Sequence, residues 1–111
     1  MSVSTHVLDA LHGSPVEGMR LQLERLDGSE AAPLGAGTTD PDGRCPDLTE
    51  GLSLTPGTYR LRFETGEWYA RTQTPTFYPV VEITFEVVDG SAHHHVPLLL
   101  SPFAYSTYRG S

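Results

Sequence analysis

The chain has 111 residues, with seven basic residues against fourteen acidic ones and a formal net charge of −7. This acidic balance, without any block of basic residues, excludes a nucleic-acid-binding surface. A hydrophobic fraction of 38% is typical of a thin two-layer domain that buries further apolar surface by association. We therefore expect one domain over residues 1–111, and we expect it to form an oligomer.

The single cysteine, Cys45, cannot form an internal disulfide, so a disulfide-stapled secreted module is excluded. Residues 1–6 have neither the basic start nor the apolar run of a secretion signal. No stretch approaches the roughly 20 apolar residues of a membrane span. These features predict a cytoplasmic protein with no membrane partner.

The first part of the chain predicts strands. Residues 3–8 alternate between two faces, with Val3 and Val7 on one face and His6 on the other. Residues 19–26 alternate between apolar and polar, which predicts a half-buried strand of an antiparallel sheet. Residues 29–37, rich in alanine and glycine, are interpreted as a loop that leads into a short strand near residues 34–39.

Residues 38–46 have the composition of a turn. Asp40 and Pro41 open it, and Gly43 can adopt the positive φ that closes it. Arg44 then leaves the turn in a fixed direction. An arginine after a tight turn is usually solvated, but a rigid turn can also present a guanidinium to an anionic substrate. Both interpretations stay open at this point.

Further along, residues 58–65 predict the clearest strand of the chain. Residues 66–73 break the period of two and predict a short helix. Residues 80–88 return to alternation, which predicts another strand. Asp89 and Gly90 predict a hairpin-type turn into a histidine stretch. Counted over the chain, seven or eight short strands and one short helix, with turns at regular spacing, predict an all-β sandwich of two sheets.

The last nineteen residues are dense in apolar and chemically active side chains. Neighbouring side chains of a strand point to opposite faces, so His93 and His95 share one face and His94 takes the other. Residues 98–100 predict a strand buried on both faces, and after a turn another short strand follows. Because the first strand of a sandwich commonly neighbours late strands, we expect His6 beside residues 93–95.

Three kinds of chemistry can be weighed for these residues. His93 and His95 with the remote His6 could hold zinc, but no carboxylate or cysteine lies near them to complete the site. A serine nucleophile is disfavoured because the chain has no Gly-x-Ser-x-Gly elbow. Metal-free general acid–base chemistry remains, in which histidines move protons and an arginine stabilises negative charge. This inventory is typical of hydrolysis of a polar, anionic small molecule.

Several motifs resemble those of the 5-hydroxyisourate hydrolase family, the transthyretin-like proteins of urate breakdown. They are residues 6–9, 13–15, 39–44, 77–79 and 95–111. The match runs nearly end to end, and the Tyr-Arg-Gly-Ser sequence of residues 108–111 is its most specific mark. Transthyretin itself shares the family's fold without that ending.

The resemblance implies hydrolysis of 5-hydroxyisourate to 2-oxo-4-hydroxy-4-carboxy-5-ureidoimidazoline, without a metal or cofactor. It implies a homotetramer of transthyretin-like sandwiches with sites at the dimer–dimer interface. Its catalytic residues would be His6, Arg44, His95 and Ser111, and its substrate-binding residues His6, Arg44, Tyr108 and Ser111. The remaining histidines, His12, His93 and His94, are assigned to the surface or to positions behind the site.

In the implied mechanism, one of His6 and His95, with His6 preferred, removes a proton from water as it attacks the ring carbonyl. Arg44 stabilises the developing charge, and the Ser111 hydroxyl and terminal carboxylate position water or a histidine. The competing hypothesis is a transthyretin-like carrier without catalytic activity, whose channel should contain apolar side chains and lysines. The chain contains no lysine, which favours a small polar substrate. A passive module that binds a protein partner is the third hypothesis.

Overall fold

The computed structural model describes residues 2–46, 48, 49, 52 and 54–111. Met1, the first residue of the N-terminal stretch 1–6 considered above, lies outside the described residues. In chain order, the elements are β1 (Ser2–Asp9), β2 (Ser14–Pro15), β3 (Arg20–Asp27), β4 (Glu30–Thr38), β5 (Arg44–Cys45), β6 (Gly57–Phe63), α1 (Thr65–Ala70), β7 (Val81–Val87), β8 (His93–Ser101) and β9 (Ala104–Thr107).

The first sheet brings the two ends of the chain together. Within it, β8 runs parallel to β1 and antiparallel to β9. The two-residue strands β2 and β5 pair with the other edge of β1. The register places Ser4 opposite His95 and His6 opposite Pro97. The prediction that His6 neighbours the histidine stretch in one sheet is therefore confirmed.

The second sheet has the order β4-β3-β6-β7, and its strands are antiparallel. The two sheets bury their apolar faces against each other, and the fully buried side chains include Val3, Val7, Leu23, Leu61, Phe63, Leu98 and Leu100. Burial of one such side chain contributes about 1.5–3 kcal/mol. The predicted all-β two-sheet sandwich with a short helix is confirmed.

The prediction of a loop over residues 29–37 is wrong, because β4 begins at Glu30. Pro33 and the small residues around it argue against a central strand, but β4 lies at the edge of the second sheet, where a missing N–H is tolerated. A shift in its register against β3 absorbs the irregularity. Gly37 permits close packing, since a Cβ there would lie 2.7 Å from Cys45 Sγ.

The predicted hairpin-type turn at Asp89 and Gly90 also needs correction. This turn joins β7 in the second sheet to β8 in the first, so the two strands do not pair. Both edges of β8 are occupied, by β1 and β9, which leaves no place for β7 beside it. Asp89 Oδ1 stabilises the turn by accepting hydrogen bonds from the Ser91 N–H at 2.9 Å and the Ser91 hydroxyl at 2.6 Å. The chain thus crosses the sandwich and starts β8 with its histidines beside β1.

Candidate active site

Three of the predicted site residues lie on the outer face of the first sheet. The parallel register sets His95 opposite Ser4, and the short strand β5 sets Arg44 opposite His6. Side chains alternate along a strand, and Val7 points into the core. His6, Arg44 and His95 therefore share the face that points away from the core.

The turn before Arg44 fixes the position of its backbone. Asp40 Oδ1 accepts hydrogen bonds from the backbone N–H groups of Asp42 and Arg44, each at 2.9 Å. Gly43 has a φ of 78°, and a Cβ there would collide with the carbonyl oxygen of Val7, so the turn requires glycine. The predicted turn, with Gly43 at positive φ, is confirmed.

His6 is held by the same turn. Its Nε2 lies 2.8 Å from the carbonyl oxygen of Asp42. A carbonyl oxygen only accepts hydrogen bonds, so this nitrogen carries a proton, and in the neutral ring the lone pair lies on Nδ1. The contact fixes the His6 ring on the strand next to Arg44.

A cavity of about 270 Å³ lies on this outer face. It brings Arg44, His95 and Ser111 together, and its other lining residues are Ser4, Thr5, Pro46 and His93. His6 is not among the lining residues, although it pairs with Arg44 at the edge of β1. The volume suits a small molecule, and the lining offers it a guanidinium, imidazoles and hydroxyls.

The surroundings of His95 favour the neutral imidazole. Burial lowers its pKa below the ordinary value of 6.5, and the charges of His93, Arg44 and His6 lower it further. Its Nδ1 lies 2.7 Å from Ser4 Oγ, and its Nε2 makes no hydrogen bond to any described residue. At neutral pH the ring therefore keeps a lone pair that can accept a proton.

The penultimate glycine explains how Ser111 reaches this cavity. The Gly110 N–H donates a hydrogen bond of 2.9 Å to the carbonyl oxygen of His95. A Cβ on Gly110 would lie 2.5 Å from His95 Cδ2 and 3.2 Å from Cγ, so only glycine can pass this close to the ring. The next residue, Ser111, then lies at the cavity.

Tyr108 does not line the cavity that contains Arg44 and Ser111. Its side chain is 60% exposed and lines a second cavity of about 260 Å³, together with Phe85 and His94. His95 lines this second cavity as well, whereas Arg44 does not. Within one subunit, the structure therefore places Tyr108 near His95 but not near Arg44. Its role in substrate binding stays a prediction that depends on neighbouring copies.

The three remaining histidines differ in their surroundings. His94 does not lie at the surface, because its side chain faces the core and is only 7% exposed. Its alternative assignment, to a position behind the site, stays a prediction. Its Nδ1 has no hydrogen-bond partner in the described part of the chain. His12 has an exposed side chain that forms an ion pair with Asp9 at 2.7 Å. His93 is also exposed, and its ring stacks on that of His95 with centroids 6.3 Å apart.

Ser4 was not predicted as a site residue, although it lines the cavity and contacts both His93 and His95. The signal that could have found it is the alternation of the first strand. Ser4 lies two residues before His6 and therefore shares its face. A serine on a strand is otherwise unremarkable in sequence.

Most arginines of this chain are committed to structural contacts, and Arg44 is not. Five arginines donate hydrogen bonds from their guanidinium groups to carboxylates, carbonyls or hydroxyls: Arg20, Arg25, Arg60, Arg62 and Arg71. The guanidinium of Arg44 makes no hydrogen bond or ion pair to a described residue, although Arg44 lines the cavity. It is therefore available to a ligand.

The described residues contain neither a metal-binding cluster nor a membrane-spanning helix. Among them, no group of three or more histidine, cysteine, aspartate or glutamate side chains is arranged to hold a metal ion. Within the same residues, no helix has the length and apolar character that a membrane crossing requires.

Comparison with known proteins places the chain in a family. A profile described as the HIUase/Transthyretin family matches residues 3–110. The chain belongs to this family. Within the HIUase/Transthyretin family, it is 42% identical to the 5-hydroxyisourate hydrolase of Mus musculus over 111 residues, which cover 98% of this chain and 94% of the mouse protein.

Two solved structures illustrate the two branches of the HIUase/Transthyretin family. The 5-hydroxyisourate hydrolase of Klebsiella pneumoniae aligns with a TM-score of 0.88 and 36% identity over 100% of both chains. Sea bream transthyretin in complex with thyroxine aligns with a TM-score of 0.91 and 27% identity, over 99% of this chain and 95% of that one. Because both backbones fit almost equally well, the side chains of the cavity must distinguish an enzyme from a carrier.

Proposed function

We propose that this member of the HIUase/Transthyretin family is a 5-hydroxyisourate hydrolase of urate degradation. It opens the ring of its substrate with water and gives 2-oxo-4-hydroxy-4-carboxy-5-ureidoimidazoline. The observation that carries the proposal is the cavity shared by Arg44, His95 and Ser111, in a chain 42% identical to the mouse hydrolase. A guanidinium and a neutral imidazole match a polar, anionic ring better than they match an apolar ligand.

We assign the general base to His95, which revises the preference for His6 stated from the sequence. His95 lines the cavity, and its Nε2 makes no hydrogen bond to a described residue. The Nε2 of His6 is instead engaged by the Asp42 carbonyl. In this assignment, His95 takes a proton from water, and His6 orients the substrate through the lone pair or proton on its Nδ1.

Arg44 and Ser111 complete the proposed reaction. The guanidinium binds the carbonyl oxygen under attack and stabilises the negative charge that grows on it. A positioned donor of this kind is typically worth about 3–4 kcal/mol of transition-state stabilisation. The Ser111 hydroxyl holds the attacking water near His95. The ring nitrogen leaves with a proton as the carbon–nitrogen bond breaks.

We also propose that residues 1–111 form one hydrolase domain, which assembles into a homotetramer with its sites at the dimer–dimer interface. Support comes from the exposed side chains of Arg44 and Tyr108, because a site that must exclude water needs a cover for such groups. In the assembly, Tyr108 of a neighbouring copy would bind the substrate. A native mass below four chains in light scattering would contradict the tetramer.

Freshly prepared 5-hydroxyisourate tests the proposed activity. We expect the purified protein to accelerate the decay of its ultraviolet absorbance well beyond the spontaneous rate. The His95→Asn variant should be slower by about 100-fold or more, since a general base contributes about that much. A folded protein that leaves the spontaneous decay unchanged would instead support the carrier hypothesis.

A further inference from the structure

Two serine hydroxyls and two imidazole rings form a continuous hydrogen-bonded row beside the proposed site. Ser4 Oγ lies 2.7 Å from His95 Nδ1 and 3.0 Å from His93 Nε2. On the far side of its ring, His93 Nδ1 contacts the hydroxyl of Ser2. The row runs from half-buried His95 through Ser4 to the exposed ring of His93 and the hydroxyl of Ser2, so it connects the proposed base with the surface.

The chemistry of these groups restricts how protons are arranged along the row. A serine hydroxyl has one proton to donate, and each neutral imidazole has one protonated nitrogen. If His95 Nδ1 donates to Ser4, then Ser4 donates to His93 Nε2, and His93 Nδ1 donates to Ser2. In the opposite arrangement all three protons are reversed, and His95 Nε2 carries the proton. Only the first arrangement leaves a lone pair on His95 Nε2, the nitrogen that makes no hydrogen bond to a described residue.

We propose that Ser4 is a positioning residue that keeps the proton of neutral His95 on Nδ1, and that His93 receives this proton when His95 Nε2 takes one from water. The proposal rests on the hydrolytic function proposed above, and it assigns Ser4 and His93 a part in that reaction. His93 also lines the cavity, but in this proposal it takes its proton from His95 through Ser4 and not from the substrate.

Each step of the proposed transfer is balanced. The water oxygen bonds to the ring carbonyl carbon as the π bond of the carbonyl opens and its electron pair moves onto the carbonyl oxygen, while one water proton bonds to His95 Nε2. His95 Nδ1 releases its proton to Ser4 Oγ, and the hydroxyl proton of Ser4 moves to His93 Nε2. When the carbonyl forms again, the bond from carbon to the ring nitrogen breaks, and this nitrogen takes the proton from His95 Nε2. His93 Nε2 then returns its extra proton to Ser4 Oγ, and the hydroxyl proton of Ser4 moves back to His95 Nδ1, which restores the starting arrangement.

The burial and the charges of the residues on this face favour proton transfer from His95 outward to His93. Ser4 is 6% exposed, whereas His93 is exposed to solvent and can hold a charge at lower cost. The groups near His95 that can carry a positive charge are His93 on its own strand, Arg44 on β5 and His6 on β1, and all three lower its pKa after the larger effect of burial. A positive charge is therefore disfavoured on His95 and is better placed farther out.

Ser4→Ala tests the positioning role kinetically. Without the hydroxyl, we expect kcat to fall about 100-fold, the low end of the contribution of a correctly protonated general base, while KM stays within about twofold. His93→Gln keeps an acceptor for Ser4 but cannot take a proton, and it should lower kcat about tenfold. Ser101→Ala is the matched control: this β8 serine donates to the Ala104 carbonyl at 3.1 Å and should retain full activity.

The tautomer of His95 can be measured without any substrate. We expect the ¹⁵N spectrum of the wild-type imidazoles, assigned with His95→Asn, to show a protonated Nδ1 and a bare Nε2 at neutral pH. In Ser4→Ala the proton should move to Nε2. A wild-type ring protonated on Nε2, an unchanged tautomer in Ser4→Ala, or a His93→Gln variant with the wild-type kcat would overturn the proposal. Wild-type protein that does not turn over 5-hydroxyisourate would reject the proposed function, while this spectrum would still decide the role of Ser4.

Discussion

Arg44→Lys is expected to lower kcat/KM about 100-fold while the thermal unfolding temperature changes little. A lysine ammonium is a point charge and cannot reproduce the planar pair of donors that a guanidinium presents to a carbonyl or carboxylate. Folding should tolerate the change, because the turn is held by Asp40 bonds to the backbone of residue 44, and the side chain is exposed. Turnover of 5-hydroxyisourate and a melting curve measure the two effects separately.

The pH profile separates the geometry of Arg44 from its charge. The base must be unprotonated, so kcat/KM should fall as the pH drops through the pKa of His95, which burial and then nearby charges hold below 6.5. Lysine keeps the charge of Arg44, so this acid limb should stay in place in Arg44→Lys. In Arg44→Gln the limb should move to higher pH, since one of the charges that lower the pKa is lost.

Arg20→Lys provides a control for the substitution itself. Arg20 lies on β3 in the second sheet and binds Glu67 through two nitrogens, at 2.7 and 2.5 Å. Because an exposed ion pair is worth only about 0–1 kcal/mol, this variant should keep wild-type turnover and nearly wild-type stability. Wild-type turnover in Arg44→Lys as well would remove Arg44 from the proposed mechanism.

Local alternation accounts for most of what the sequence could predict. A period of two depends only on neighbouring residues, so it correctly placed Val3 and Val7 on one face, which the structure buries. It also correctly placed His93 and His95 together on one face of their strand. The same alternation also indicates that His94 points to the opposite face from His93 and His95, which is the buried face. The assignment of that residue to the surface or to a position behind the site made no use of its face on the strand, and the structure contradicts the first alternative.

Contacts between distant strands account for what could not be predicted. Ser4 meets His95 across 91 positions of sequence, in a register that depends on the packing of the whole first sheet. No local pattern specifies that pairing. The start of β4 at Glu30 was missed for a similar reason, since alanine, glycine and proline are poor strand formers that an edge position tolerates.

Deleting residues 108–111 is expected to give a folded protein whose turnover is near the spontaneous rate. The deletion leaves β9, which ends at Thr107, in its pairing with β8. It removes the hydrogen bond from Gly110 to His95, worth about 1 kcal/mol, which the sandwich can lose without unfolding. It also removes Ser111 from the cavity and Tyr108 from its proposed contact with substrate.

Gly110→Ala tests the same segment without shortening it. A Cβ at this position would lie 2.5 Å from His95 Cδ2, so either the segment or the His95 ring must move, and the position of Ser111 relative to His95 changes. We therefore expect Gly110→Ala to lose most of the activity. Arg109→Ala is the control, because the Arg109 guanidinium makes no hydrogen bond or ion pair to a described residue. This control should retain more activity than Gly110→Ala. If the truncated protein or Gly110→Ala hydrolysed 5-hydroxyisourate at the wild-type rate, residues 108–111 would be structural only, and the water would have to be positioned by another group of the cavity.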